Sequence, residues 1–371
     1  MDQNNLKLAT ELRHELHMHP ELSMQEEWTR NHLMDFLRKH TKLEVCDRGR
    51  WFYAIYHAGD DKPNIAFRAD FDALNFDEQT DIPWRSKIPN VAHKCGHDGH
   101  AAALAGLALE VDRNGADKNV FFVFQHAEET GQGAFECLPL FDEHRIDEFF
   151  AAHNDPGDPK HSIVLRDGTM ACASKGMDIY LTGAPAHASM PEDGRNPAFA
   201  IAEIVSSIPK LIAPENYKGM VLCTVIQIDL GEQAYGMSAS KGVLRLTLRG
   251  LFENEMDDLQ KKLEDLSRAQ AKEYGLECEF SYCDSFPETA NHKESADKVR
   301  AVAKKLGLTV LEMPEATRGS EDFGHFTKAT KGAYFNVGGG EDWPPVHTLD
   351  YDFPDDIIET FVEMFKGLIA Y

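Results

Sequence analysis

The sequence is short of basic residues, of long apolar runs and of any cysteine framework. Lysine and arginine total 38 against 62 aspartates and glutamates, a formal net charge of −24 with histidine neutral. A surface of that sign repels phosphate backbones and anionic headgroups, so neither nucleic acid nor a membrane is an expected partner. The longest apolar run, residues 101–109 within AAALAGLALEV, is about half of what a membrane span needs. The opening MDQNNLKLATEL has no basic n-region and no signal-type apolar core, which makes the cytoplasm the expected location. The 7 cysteines are odd in number and scattered, as expected of reduced thiols and not of a disulfide scaffold. There is no internal repeat and no low-complexity linker. What remains is an ordinary globular composition over 371 residues, 42% hydrophobic and 27% charged, enough for about two domains.

Two amphipathic patterns open the chain, LKLATELRHELHMHP and EEWTRNHLMDFLRKH. Short apolar runs follow, and each ends in charged or imidazole side chains. FYAIYH and NIAFRAD read as strands, the second stopping at Asp70 and Asp72; NVFFVFQ stops at Glu128 and Glu129, and EFFAAH at His153. A helix is expected at about residues 98–111, with Asp98 as its N-cap. Alternating strands and helices predict an α/β domain with a mostly parallel sheet covered by helices, whose ligands collect beyond the carboxyl ends of the strands.

After residue 174 the pattern changes. GMDIYLTGAPAH and GVLRLTLRGLFE alternate like half-exposed strands, and PAFAIAEIVSSIPKLI and ENEMDDLQKKLEDLSRAQAKEYG are amphipathic helices. They predict a smaller α+β domain, an antiparallel sheet with helices, over residues 175–285. Past it, ADKVRAVAKKLG, GAYFNVGGG and PDDIIETFVEMFKGLIAY return to the first style, so the small domain is read as an insertion between residues 1–174 and 286–371 of the larger one.

Cys95 and His97 in HKCGHDGH lie two apart, which in an extended turn lets both face one point. Thiolate and imidazole suit zinc and its neighbours, although a lone C-x-H pair reads equally as a buried cysteine beside a surface histidine. Glu128 with Glu129, His153 and the distant His347 strengthen the metal reading. Adjacent residues at a strand end point apart, so one glutamate can bind metal while its neighbour acts as a base. A solvated acidic turn is the plainer alternative for that pair.

The ordered motifs ELRHELHMHPELSMQE, FRADFDAL, CGHDGH, QHAEETGQGA, AAHNDPG, GAPAHASMP with DGRNPA, RGSEDF and VHT resemble, nearly end to end, the M20 metallopeptidase family, subfamily D amidohydrolase branch. The resemblance implies a two-domain fold in which the inserted domain serves as lid and dimerisation domain, and a centre of two divalent metal ions per subunit. Zinc is the first expectation, with manganese, nickel or cobalt as alternatives. Carried onto this chain, it makes Cys95 the bridging ligand, His97, Glu129, His153 and His347 the remaining ligands, and Glu128 the general base. His187 in GAPAHASMP becomes an oxyanion partner that in the wider family often serves the neighbouring subunit. Arg249 becomes a clamp for a substrate carboxylate and Asn196 a lesser substrate contact, although His187, Arg249 and Arg245 also read as ordinary surface residues.

Asp70, Asp72 and Asp98 are expected either to hold ligand imidazoles or to cap local structure. His100 and Gly99 are assigned to helix packing, and Trp343 either to a pocket wall or to core. Asn75 and His126 stand where relatives generally carry proline, which bears on the acyl pocket and not on the metals. The expected function is metal-dependent hydrolysis of N-acyl, first of all N-acetyl, amino acids by attack of a metal-bridged water. The alternatives are a dipeptidase or carboxypeptidase of the same family and a non-catalytic peptide-binding protein on the same fold. A homodimer through the inserted domain is also expected, with GMDIYLTG as its edge strand.

Overall fold

The computed structural model describes residues 1–371 and divides into two compact units. The first comprises Met1–Met170, Thr289–Ala316 and Asp322–Tyr371; the second comprises Ala171–Glu288 with the short segment Thr317–Glu321.

In the first unit an eight-stranded sheet runs in the order Glu44–Asp47, Phe52–Tyr56, Asn119–Gln125, Asn64–Asp70, Glu148–Pro156, Lys331–Gly340, Ile163–Leu165, Val310–Glu312. The central strands Asn119–Gln125, Asn64–Asp70, Glu148–Pro156 and Lys331–Gly340 are mutually parallel, and antiparallel pairings occur only toward the margins. Both faces of these strands are buried, which explains their unbroken apolar sequences. Phe67, Phe122 and Phe150 join one core, while Ala66, Phe121 and Phe149, one residue out of phase, join the other. The predicted mostly parallel sheet is found; Asn64–Asp70 and Asn119–Gln125 stop at or just before their polar residues, whereas Glu148–Pro156 runs on three residues past His153, where the sequence suggested a stop.

The helix after the C-x-H motif is His97–Asn114, and its N-cap is Gly96, not Asp98. Gly96 takes φ 101°, and a Cβ there would lie 2.2 Å from Asn154 Oδ1, so this entry to the helix requires glycine. Asp98 instead turns inward within the first helical turn and is fully buried. At Gly99 a Cβ would come within 2.3 Å of the Phe353 ring, in line with the packing role expected of it.

The second unit is a four-stranded antiparallel sheet in the order Glu277–Phe286, Ala173–Thr182, Lys241–Gly250, Val221–Leu230. Helices Ala198–Leu211 and Glu253–Tyr274 bury Ile201, Ile204, Leu259 and Leu263 against Met177, Ile179, Leu244 and Leu246 of the sheet. GMDIYLTG is not an edge: its strand lies between Lys241–Gly250 and Glu277–Phe286. The open edges belong to Glu277–Phe286 and Val221–Leu230, neither of which the sequence pattern brought out. Val221–Leu230 exposes Val225, Ile226, Ile228 and Leu230, and every residue from Thr224 to Leu230 is exposed, so it lacks the one-sided burial that marks an amphipathic strand. No helix is long and apolar enough to cross a membrane.

Candidate metal centre

Four chain segments converge beyond the carboxyl ends of the parallel strands. Asn64–Asp70 delivers Asp70 and then Asp72; the turn after Asn119–Gln125 delivers Glu128 and Glu129; Glu148–Pro156 carries His153; the Cys95–Gly96–His97 turn opens the long helix. A further loop carries His347, which adopts φ 60° and whose N–H donates to the Lys94 carbonyl at 2.6 Å.

Two overlapping donor groups result. The ligand atoms of Cys95, His97 and His153 lie within 4.8 Å of one another, and so do those of Cys95, Glu129 and His347. Cys95 belongs to both. His97, Glu128 and Glu129 form a further group of the same size, with His97 Nε2 at 3.9 Å from Glu128 and 3.8 Å from Glu129. The structure therefore brings together all five residues expected as ligands and the one expected as base.

Each imidazole is oriented by its other nitrogen. His97 Nδ1–H donates to Asp72 at 2.9 Å, which leaves Nε2 buried and without a hydrogen-bond partner. His153 Nδ1–H donates to the Asn154 carbonyl at 2.7 Å and leaves Nε2 facing Cys95 Sγ at 3.4 Å. An orphaned buried ring nitrogen is costly unless a ligand uses it, and a set of thiol, imidazole and carboxylate donors suits a divalent ion such as zinc. The residues present thus fit a metal.

The three imidazoles differ in their electrostatics. Burial and the neighbouring His100 push His153 well below the ordinary imidazole range, leaving it neutral as a ligand must be. Burial opposes protonation of His97, yet Asp70 and Cys95 outweigh it and hold its pKa well above the usual value. Hydrogen bonding to Cys95 and Glu129 raises His347 to about 10. A metal bound there would have to displace the protons that His97 and His347 hold, which makes its uptake depend on pH.

Asp72 holds a ligand imidazole, as one of its two readings had it, whereas the close partners of Asp70 are Arg68 and His100, neither of them an expected ligand. Asp72 accepts from His97, from the Glu129 backbone N–H at 3.0 Å and from Ser23 Oγ at 2.7 Å. Asp70 pairs with Arg68 at 2.7 Å and with His100 Nδ1 at 2.6 Å. Arg68 in turn reaches Gln125 and Asp322, and Asp322 also accepts the Ala134 N–H. His100 is more than helix packing, since its Nε2 meets Asn154 Oδ1 at 2.7 Å.

A second buried network lay outside the sequence reading. Asp98 accepts from Arg13 Nε and pairs with His17 Nδ1, both at 2.8 Å; His17 Nε2 meets Glu78 at 2.8 Å, and Glu78 holds Lys94. Lys94 Nζ also donates to the Tyr351 carbonyl at 2.6 Å. Lys94 thereby grips the His347 loop by its side chain as well as by its carbonyl. The available signal was the i, i+4 spacing of Arg13 and His17, which places two ionisable residues on one buried helix face.

The remaining expected residues lie in the second unit. His187 is exposed, with Nδ1 at 2.7 Å from Ser189 Oγ. Arg249 donates to the Arg318 carbonyl at 2.8 Å and to Ser320 Oγ at 3.0 Å, whereas Arg245 pairs with Asp178 and Asp229. Asn196 Oδ1 accepts from Ala198 N–H at the start of a helix, a local role that the sequence did not suggest. In the first unit, Trp343 is half-buried and donates to the Asp352 carbonyl at 2.7 Å; Asn75 is exposed, and His126 is buried against Glu136.

YhaA of Bacillus subtilis (strain 168), named as a candidate amidohydrolase, is 29% identical over 90% of this chain and 86% of its own length. An uncharacterised hydrolase of Staphylococcus aureus (strain bovine RF122 / ET3-1) is 28% identical over 99% of this chain and 98% of its own. Among solved structures, a candidate aminohydrolase from methicillin resistant S. aureus superposes with TM-score 0.90 at 23% identity, covering 99% of this chain and 96% of that one. YxeP of B. subtilis, described as a dinuclear metal binding peptidase, does so with TM-score 0.83 at 23% identity, covering 100% and 98%. The model of peptidase family M20/M25/M40 matches residues 66–371. With that match extending over most of its length, the chain is a hydrolase belonging to peptidase family M20/M25/M40.

Proposed function

We propose that this hydrolase removes the acyl group, acetyl first among candidates, from N-acyl amino acids, using two divalent ions held around Cys95. The observation that carries the reading is the membership of Cys95 in both donor groups, one completed by His97 and His153 and the other by Glu129 and His347. Two ions so held would make a water acidic and polarise the amide carbonyl. Glu128, buried beside His97 and Glu129, takes the proton of the attacking water and returns it to the leaving nitrogen, because an amine leaves badly as an anion. Asp72 keeps the His97 proton on Nδ1, so that its Nε2 stays available throughout. His187 supplies a donor to the carbonyl oxygen as it gains charge, and Arg249 receives the substrate carboxylate. Asn196 adds a weaker substrate contact.

The relatives named above support the class: one is named as an amidohydrolase, another described as binding two metals. Zinc matches the thiolate and imidazole donors best, with manganese, nickel and cobalt next. A homodimer is proposed through the second unit, now by the open edge Val221–Leu230, whose unpaired backbone and exposed apolar side chains suit pairing with a second copy. Sedimentation at micromolar concentration should show the dimer, and monomers alone would reject it. The activity itself is tested by a hydrolysis panel with added zinc, cobalt or manganese. Turnover of N-acetyl amino acids well above that of dipeptides is expected, and the reverse order would replace this reading by a dipeptidase.

A further inference from the structure

We propose that Ser189 fixes the tautomer of His187, holding the ring proton on Nε2, where a carbonyl oxygen acquiring negative charge would meet it. The inference rests on the oxyanion reading of His187 just given, but its geometry lies wholly within the second unit.

The backbone N–H of Ser189 points at His187 Nδ1 from 3.2 Å. An amide N–H can only donate, so Nδ1 must offer a lone pair. Ser189 Oγ lies 2.7 Å from the same nitrogen, and its hydroxyl can rotate to donate there as well. A neutral imidazole with Nδ1 as acceptor carries its hydrogen on Nε2. Nε2 itself has no partner in the chain. One ring nitrogen is thus committed inward and the other left as a free donor, the form that stabilisation of an oxyanion requires.

The loop that carries the ring is itself tethered. Ala186 N–H donates to Ser238 Oγ at 3.2 Å, and Ser238 N–H returns to the Ala186 carbonyl at 2.9 Å. Ala188 N–H donates to the Gly236 carbonyl at 3.0 Å, and Met190 N–H closes a turn on the His187 carbonyl at 2.8 Å. A Cβ at Gly194 would come within 2.9 Å of Ala186 Cβ, so the backbones approach as closely as glycine permits. Ser189 is therefore a positioning residue on a fixed loop, acting through His187 and not on substrate.

The test is long-range proton–nitrogen NMR of the full-length, histidine-labelled protein, well above the ordinary imidazole pKa of about 6.5. His187 is identified by the signal missing from His187→Ala. The wild type should show Nε2–H with an unprotonated Nδ1; Ser189→Thr should keep that form, and Ser189→Pro, which lacks the amide hydrogen, should shift toward a mixture. A prevailing Nδ1–H form in the wild type would overturn the proposal, and so would an identical tautomer ratio in the wild type and the proline variant. On N-acetyl amino acids, Ser189→Pro should lower kcat about 10-fold or more with KM nearly unchanged, while threonine restores it. If His187→Ala leaves kcat intact, the oxyanion reading fails and the tautomer assignment stands. If it lowers kcat about 100-fold while the ring is a tautomer mixture, the Ser189 proposal alone fails.

Discussion

The two units treat their reactive side chains in opposite ways. In the first, Cys95, His97 and Asp72 are buried, with His347 the exposed exception, and the ring nitrogen of His97 that is not presented for a ligand is already spoken for by a carboxylate. In the second, His187 is exposed and Arg249 only partly buried, and the partners of both come from nearby turns. Burying polar groups costs free energy unless each is paired, so a buried cluster is over-determined and its chemistry narrowly specified. Exposed groups cost little, and their placement is correspondingly weak testimony of use.

Substitutions in each unit test that contrast. The largest effect is expected at Glu128. Replacing it with glutamine should lower kcat by about 10²–10⁴-fold while metal content stays at the wild-type level, read by elemental analysis beside kinetics. Full activity would remove the base assignment. Next comes Asp72→Ala, which frees His97 to rotate and strips a partner from the Glu129 backbone; metal affinity should fall by about 10–100-fold in a competition with a chelating dye. Affinity equal to the wild type would mean that the buried carboxylate is only structural. In the exposed unit, Arg249→Met should raise KM by about 10-fold with kcat preserved, the signature of a lost carboxylate contact. An unchanged KM would leave Arg249 as a tie to Arg318 and Ser320.

The smallest expected effect concerns stability. Glu26 accepts the Ala127 N–H at 2.7 Å, and burial together with the charge of Asp72 raises its pKa to about 8 from the ordinary 4.5. A carboxyl whose folded pKa is raised binds its proton more tightly in the native state, so stability is full below about pH 4.5 and declines as pH climbs toward 8. Glu26→Gln removes that decline and should raise Tm by about 2–5 °C at pH 8.5 with little change at pH 5, in calorimetric scans at both values. Equal shifts at both would deny the ionisation.

Much of the first unit was legible because its signals are local and strong. Buried parallel strands read as unbroken apolar runs, and Asp70 and Glu128 stood out as polar residues at or just past their ends, as did His153 at the close of an apolar run although its strand continues to Pro156. Asp98 misled because an acidic residue near a helix start has the form of an N-cap, while its true partners, Arg13 and His17, lie 85 and 81 residues away in sequence. Lys94 was invisible for a related reason: a lysine beside a cysteine carries no pattern until Glu78 and Tyr351 are folded onto it. In the second unit, GMDIYLTG has the alternation of a strand, but alternation says nothing about whether a strand lies at an edge. That depended on Glu277–Phe286 pairing with it from about a hundred positions later.

The proposed metal centre is built on one shared sulfur, and anomalous scattering from crystals soaked in zinc tests that directly. Two peaks should appear in each chain, both at about 2.3 Å from Cys95 Sγ, one flanked by His97 and His153 and the other by Glu129 and His347. A single peak, or peaks that do not share that sulfur, would contradict it.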